Sequence, residues 1–199
     1  MYKDILKRKE KIIIAAIDLF DEAGILGLTT KEIAKRQNVT EPAIYKQFDS
    51  KKDIVKSIID RYAAYDDSIQ STILDNKMGC REGILYLAGT YAEYYQNYPQ
   101  ITTISFSFDA FKYDKELNEK MMGIINRRYD LIVRLVSIGI ESGEIPSHSD
   151  SIAVAESIFS IIWSLTFLWK INQYNFELKD RIIKAIEGIL KNEISNSRR

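Results

Sequence analysis

Apolar residues recur at helical spacing along almost the whole chain. Ile12, Ala16, Leu19, Phe20 and Ala23 fall at i, i+4, i+7, i+8 and i+11, one face of a helix, and Gly24 then offers a stop. Thr29 opens a second helix, with Glu32 at capping-box spacing and Ile33 and Ala34 as its apolar side. Asn38 sits in the next turn, and Asn is one of the few residues that tolerate positive φ. Thr40 is placed to cap a third helix, Pro42 falls in its first turn, and Ile44 and Phe48 share a face. Ser50 and Asp53 repeat the cap and open a fourth helix through Ile54, Ile58 and Ile59.

The pattern resumes at about residue 82. Leu87, Tyr91, Tyr94, Tyr95 and Tyr98 make a stripe that Pro99 ends. Residues 102–111, rich in Thr, Ser and Phe, read as a short helix or an irregular turn. Leu117, Met121, Ile124, Ile125, Leu131, Ile132, Leu135 and Ile138 define a long helix ended by Gly143 and Pro146. Ile152 to about Asn172 is another, and Leu178 to Ile194 closes the chain before a tail expected to fray. The fold class expected is all-α. Residues 5–60 form a helix-turn-helix domain of three helices plus a coupling fourth, and residues 61–195 a larger helical domain.

Composition narrows the chemistry. The 199 residues carry 28 basic and 28 acidic groups, a net charge of zero, which speaks weakly against nucleic-acid binding. Residues 1–60 hold 12 Lys or Arg and 10 Asp or Glu, so the N-terminal part is +2 and the remainder −2. A lone cysteine, Cys80, excludes an internal disulfide and a thiolate metal site, and fits a reducing cytoplasm. The one histidine, His148, has no Cys or Asp beside it. With so little nucleophile and base material, no enzyme, metal or cofactor is expected. The start is charged and shows no signal peptide. Residues 152–169 approach membrane-span length, but Glu156 and the Ser and Thr residues at helical intervals favour a helix buried in an assembly, and no membrane partner is expected.

The segment from Thr29 to Ile54 carries the functional signal. A helix-turn-helix reads DNA by bracing one helix across the backbone while the next lies in the major groove. Thr40, Glu41, Pro42, Ala43, Tyr45, Lys46 and Gln47 are expected to face outward, with Ile44 and Phe48 inward. Tyr45, Lys46, Lys51, Lys52, Thr29 and Thr30 are candidate phosphate contacts. Glu41 suits a cytosine amine, Gln47 an adenine, and the Ala43 methyl a thymine; this helix offers no Arg to read guanine. The bland reading of the same pattern is a capped helical hairpin.

The string Thr-Glu-Pro-Ala-Ile-Tyr-Lys-Gln-Phe-Asp-Ser-Lys-Lys-Asp-Ile, from Thr40 to Ile54, resembles the recognition helix and following turn of the TetR family of bacterial transcription regulators. Leu-Phe-Asp-Glu-Ala-Gly and Leu-Thr-Thr-Lys-Glu-Ile-Ala upstream resemble that family's first two helices, so the likeness covers about residues 8–60. Asn38 stands where Gly is usual and Gln47 where His or Tyr is usual; the second departure leaves the base preference open. The resemblance implies phosphate contacts from Tyr45 and Lys51 and groove-facing positions at Glu41, Pro42 and Lys46. It also implies an all-helical homodimer on a near-palindromic double-stranded operator, usually a repressor released by a small-molecule effector. Residues 139–146 are similar to a connection common in the family.

Seven of the twelve tyrosines lie between residues 86 and 129, with Phe and Met residues among them. Such a stripe is ordinary core or the wall of a ligand cavity with apolar sides and polar tips. The candidate ligand-binding residues are Tyr86, Tyr91, Tyr94, Tyr95, Phe108, Phe111, Met121, Met122, Tyr129 and Trp163. The last two helices are the candidate dimer interface, through Ile152, Phe159, Ile162, Ile182, Ile186 and Ile189 as a four-helix bundle. The function expected is a cytoplasmic DNA-binding transcriptional regulator, a homodimeric repressor released by a small apolar or aromatic ligand. The alternative is a helical carrier or sensor of an apolar molecule without a DNA role.

Overall fold

The computed structural model describes residues 7–196, with side chains over 7–191. The expectation for the end of the tail falls on 197–199, outside the described residues, as do Ile5 and Leu6 at the start of the first domain. Eleven α-helices and one short 3-10 turn make up the described chain, with no strand among its residues. It divides into two compact units. The first is Met1–Ala64 with Gln100–Met121, and the second is Tyr65–Pro99 with Met122–Arg199. A single break after residue 60 therefore does not describe the chain, because residues 100–121 pack with the N-terminal helices.

In the first unit, α1 (Arg8–Gly27) buries Ile12, Ala15, Ala16, Ile17, Leu19 and Phe20. Ala23, expected on that face, is exposed. Gly24 breaks the helix at φ +65, a left-handed conformation that side chains resist, and the chain turns briefly before Leu28. Thr29 caps α2 (Thr30–Arg36) by accepting the Glu32 amide at 3.1 Å. Asn38 takes φ +50 in the turn, as its type allows. The next helix, α3 (Glu41–Tyr45), is only five residues long, and Thr40 precedes it without a side-chain cap. Ser50 caps α4 (Lys51–Tyr62) by accepting the Asp53 amide at 3.1 Å.

The second unit begins with a helix that the apolar pattern did not reveal, α5 (Asp66–Asp75), which buries Ile69 and Ile73. Its other positions are mostly polar, so the repeat was too sparse to read. Next comes α6 (Cys80–Asn97), whose first amides are capped from far along the chain. Glu144 accepts from the Cys80 and Arg81 amides at 3.0 Å each. After the 3-10 turn Pro99–Ile101, α7 (Thr102–Ser105) and α8 (Phe108–Phe111) return to the first unit. They pack there through Phe111, whose ring centre is 5.9 Å from that of Phe20. Ser105 also donates to the Tyr62 hydroxyl at 2.9 Å.

The long helix α9 (Lys115–Ser142) ends at Gly143, which takes φ +80. Asp150 caps α10 (Ser151–Ile171) by accepting from Ile152 and Ala153. The last helix, α11 (Leu178–Asn196), sets Leu178, Ile182, Ile186 and Leu190 at i, i+4, i+8 and i+12, and packs on α6 and α10.

Candidate nucleic-acid interface and effector region

The interface starts from the packing of α3. Ile44 is fully buried and Phe48 nearly so, and together they anchor one side of the segment in the first unit. The opposite side carries Thr40, Pro42, Tyr45 and Lys46, all exposed, with Tyr45 at 49 %. Gln47 and Ala43 are half-buried. Among the described residues Lys46 makes no ion pair, so its charge remains available to an anion.

The candidate contacts around this segment differ in their freedom. Thr29 uses its oxygen lone pair in the cap, which leaves its proton to donate. Thr30 is only 8 % exposed; its hydroxyl donates to Glu41 and lies 3.4 Å from the Tyr45 oxygen. Thr30 is thus a brace between α2 and α3, which corrects its expected place among the phosphate contacts. Glu41 is half-buried and accepts that bond through Oε1. Lys51 is exposed and donates to the Ile25 carbonyl at 3.1 Å, tying the start of α4 to the end of α1. Lys52 lies 2.9 Å from both Asp114 and Glu116. The bonds to Asp114 and then Glu116 raise its pKa. Its charge is neutralised in place, which corrects its assignment as a phosphate contact. The same carboxyls sit below their usual range, Asp114 chiefly through Lys52 and Glu116 chiefly through Lys56.

One feature of the interface was missed. Arg8, Lys11, Ile12, Gln37, Val39 and Ala43 line a cleft of about 290 Å³ beside α3, with two cations at its edge. The signal lay in the run Lys7-Arg8-Lys9-Glu10-Lys11, whose charge is diluted in the whole-chain balance.

The expected effector residues separate into groups. Phe108, Phe111 and Met121 lie in the first unit and the other seven in the second. Phe111 is core against Phe20, and Phe108 and Met122 are exposed, which corrects their expected place in a cavity wall. In the second unit Tyr91 and Tyr95 are buried and Tyr86 and Tyr94 half-buried on α6. Tyr91 and Tyr95 stack at 6.3 Å, and Tyr94 lies 5.9 Å from Tyr95. Tyr129 meets Phe159 edge-on at 5.8 Å, and Phe159 stacks on Trp163 at 6.0 Å.

Sequence reasoning missed the polar centre of this region. Arg128 and Asp66 form a buried ion pair joined by the Tyr91 and Tyr95 hydroxyls. Arg128 lies in a helix read for its apolar residues alone, Asp66 lies in a stretch the apolar pattern passed over, and no spacing rule links the two positions.

The family model for bacterial regulatory proteins, tetR family, matches residues 12–58, from the core of α1 to the buried side of α4. Residues 12–58 thus resemble the regulatory proteins of the tetR family. It is 31 % identical over 83 residues to the class A tetracycline repressor protein from transposon 1721 of Escherichia coli, covering 37 % of this chain and 38 % of that one. It is 45 % identical over 51 residues to IcaR of Staphylococcus aureus, a negative transcriptional regulator of the icaADBC biofilm operon, covering 26 % and 27 %. The chain thus matches well under half the length of these relatives. Among solved structures, MbdR from Azoarcus sp. CIB has a TM-score of 0.79 at 21 % identity, covering 92 % of this chain and 97 % of that one. FadR from Bacillus subtilis, solved with stearoyl-CoA, has 0.76 at 20 %, covering 92 % and 98 %. These likenesses extend the same all-α fold to nearly the whole chain.

Two expected interface residues are corrected here. Ile182 and Ile186 are fully buried within the single chain, on the side of α11 that packs on α6 and α10. Ile152 is exposed, and Phe159, Ile162 and Ile189 are half-buried. The apolar surface left open is on α10 and adds Phe167, Leu168 and Ile171, the last 57 % exposed. This helix is also long and apolar enough to cross a membrane, with a mean hydropathy of 1.7.

Proposed function

We propose that the chain is a cytoplasmic DNA-binding transcriptional regulator, a homodimeric repressor released from a near-palindromic operator by a small organic effector. The observation that carries the reading is α3, with Ile44 and Phe48 anchored and Thr40, Pro42, Tyr45 and Lys46 exposed, inside the stretch that matches the family model. Tyr45, Lys46, Lys51, Thr29 and the Arg8–Lys11 edge supply phosphate contacts, and Ala43 and Gln47 touch base edges. The names of the relatives agree, since the tetracycline repressor and the negative regulator IcaR both act on transcription.

The dimer forms through the exposed apolar side of α10, where Ile152, Phe167, Leu168 and Ile171 are open. Pairing matters because one five-residue reading helix gives little affinity, and a twofold axis repeats its contacts about 34–36 Å away. A small effector acts in the tyrosine-rich second unit and needs only to favour the released state by a few kcal/mol.

The test is an electrophoretic shift with the DNA upstream of the chain's own gene. A retarded band that survives competitor DNA supports the regulator. Binding that competitor removes completely, together with tight capture of an apolar molecule, establishes the carrier without a DNA role.

A further inference from the structure

We infer that Arg128 is the anion-reading residue of a binding site for a small organic carboxylate, and that Asp66 occupies the ligand's place when the site is empty. The inference rests on the effector-binding reading above and names the chemical class of the effector.

Arg128 and Asp66 are 7 % and 9 % exposed. The Arg128 Nε donates to both Asp66 oxygens, at 3.1 and 3.0 Å, and its Nη2 donates to Oδ1 at 2.8 Å. Its Nη1 donates to the Tyr95 hydroxyl at 3.2 Å, and its guanidinium carbon stands 4.4 Å from the centre of the Tyr91 ring. Tyr91 in turn donates to Asp66 at 3.0 Å. This is a planar cation with an aromatic floor and a hydroxyl that donates to the same carboxylate. A guanidinium matches a carboxylate in just this forked way, and the rings of Tyr91, Tyr95 and Tyr94 suit an apolar body attached to it.

A buried ion pair adds little net stability compared with apolar side chains of equal volume, so its presence calls for another use. The two partners also differ in how they are held. Arg128 sits in the middle of the 28-residue α9. Asp66 is the first residue of α5, between the exposed Tyr65 and Asp67. The place of Asp66 at the end of a helix, beside two exposed residues, puts its carboxylate close to solvent. An incoming carboxylate takes over the Arg128 bonds, the site keeps one negative charge beside one positive charge, and Asp66 becomes hydrated. The start of α5 then loses its tie to α9.

The test uses the full chain with phenylacetate and hexanoate as probes and their neutral amides as controls, read by calorimetry and by the thermal midpoint. Asp66→Asn keeps the shape but removes the competing charge, and should tighten phenylacetate binding at least about tenfold over the unmodified chain. Arg128→Met should abolish the preference for acid over amide. Tyr95→Phe, which removes one hydroxyl and leaves the ion pair, should weaken acid binding and leave amide binding unchanged. Should Asp66→Asn fail to fold, the Nε resonance of Arg128 in the unmodified chain decides: a shift on saturation with phenylacetate supports the site, and none overturns it. Equal binding of acids and amides also overturns it while leaving an effector site standing, and operator binding is scored separately from all of these readouts.

Discussion

Thr30 donates its hydroxyl to Glu41, and this bond ties the first turn of α2 to the first turn of α3. The braced helix and the reading helix are held by a side-chain bond as well as by their apolar faces. Thr30→Val keeps the volume and deletes the donor. It should cost about 1.5–3 kcal/mol, as expected for a hydrogen bond to a charged acceptor, measured by urea unfolding. An unchanged midpoint would show that the bond adds nothing to the packing of Ile33 and Ile44.

The two lysine environments separate by salt dependence. Lys46→Ala should lower the slope of log affinity against log salt by about one unit, as for the loss of a single phosphate contact. Lys52→Ala should leave the slope unchanged, because Asp114 and Glu116 already neutralise that charge. Tyr45→Phe should weaken binding to all sequences alike. Equal slopes for the two lysine variants would remove Lys46 from the interface.

The isoleucines of α11 and the open side of α10 should respond differently to substitution. Phe167→Glu should give a folded monomer by sedimentation equilibrium, with its helical circular dichroism retained. Ile186→Ala should instead cost about 2–5 kcal/mol of stability, as for a large-to-small change in a core. A Phe167→Glu chain that sediments as a dimer would place the interface elsewhere.

Cys80 should be inert in the native protein. Burial, and then the charge of Glu144, push its thiol up from near 9.0 to about 12. The thiolate is the nucleophile, so iodoacetamide at pH 8 should label the unfolded chain and spare the folded one. The folded pKa lies above the unfolded value. Stability from the neutral thiol is therefore complete below about pH 9 and is lost as the pH rises toward 12. Cys80→Ala should flatten the stability profile in that window; a profile as steep as before would assign the loss to other groups.

Gly139 on α9 lies against Cys80 at the start of α6. A Cβ at this position would stand 2.6 Å from the Cys80 Cβ, inside contact distance. Gly139→Ala should destabilise by about 1–3 kcal/mol through overpacking, read from the urea midpoint. The double variant Cys80→Gly, Gly139→Ala should recover part of that loss.

What the amino-acid order determined by itself is local. The caps at Thr29 and Ser50, the left-handed turn at Asn38 and the inward Ile44 and Phe48 all follow from neighbours within a few residues. For the same reason the helices of this segment were legible from spacing, while its use on DNA came from the resemblance of Thr40 to Ile54 to a recognition helix. Tertiary structure decided what depends on distant partners. Asp114 and Glu116 claim Lys52, Glu144 caps α6 across more than sixty residues, and α6 and α10 cover Ile182 and Ile186. It also joined Asp66 to Arg128. Periodicity marks the side of a helix that is apolar but not the surface that covers it, and a charge in sequence carries no address for its counter-charge. Both are settled only when the chain closes on itself.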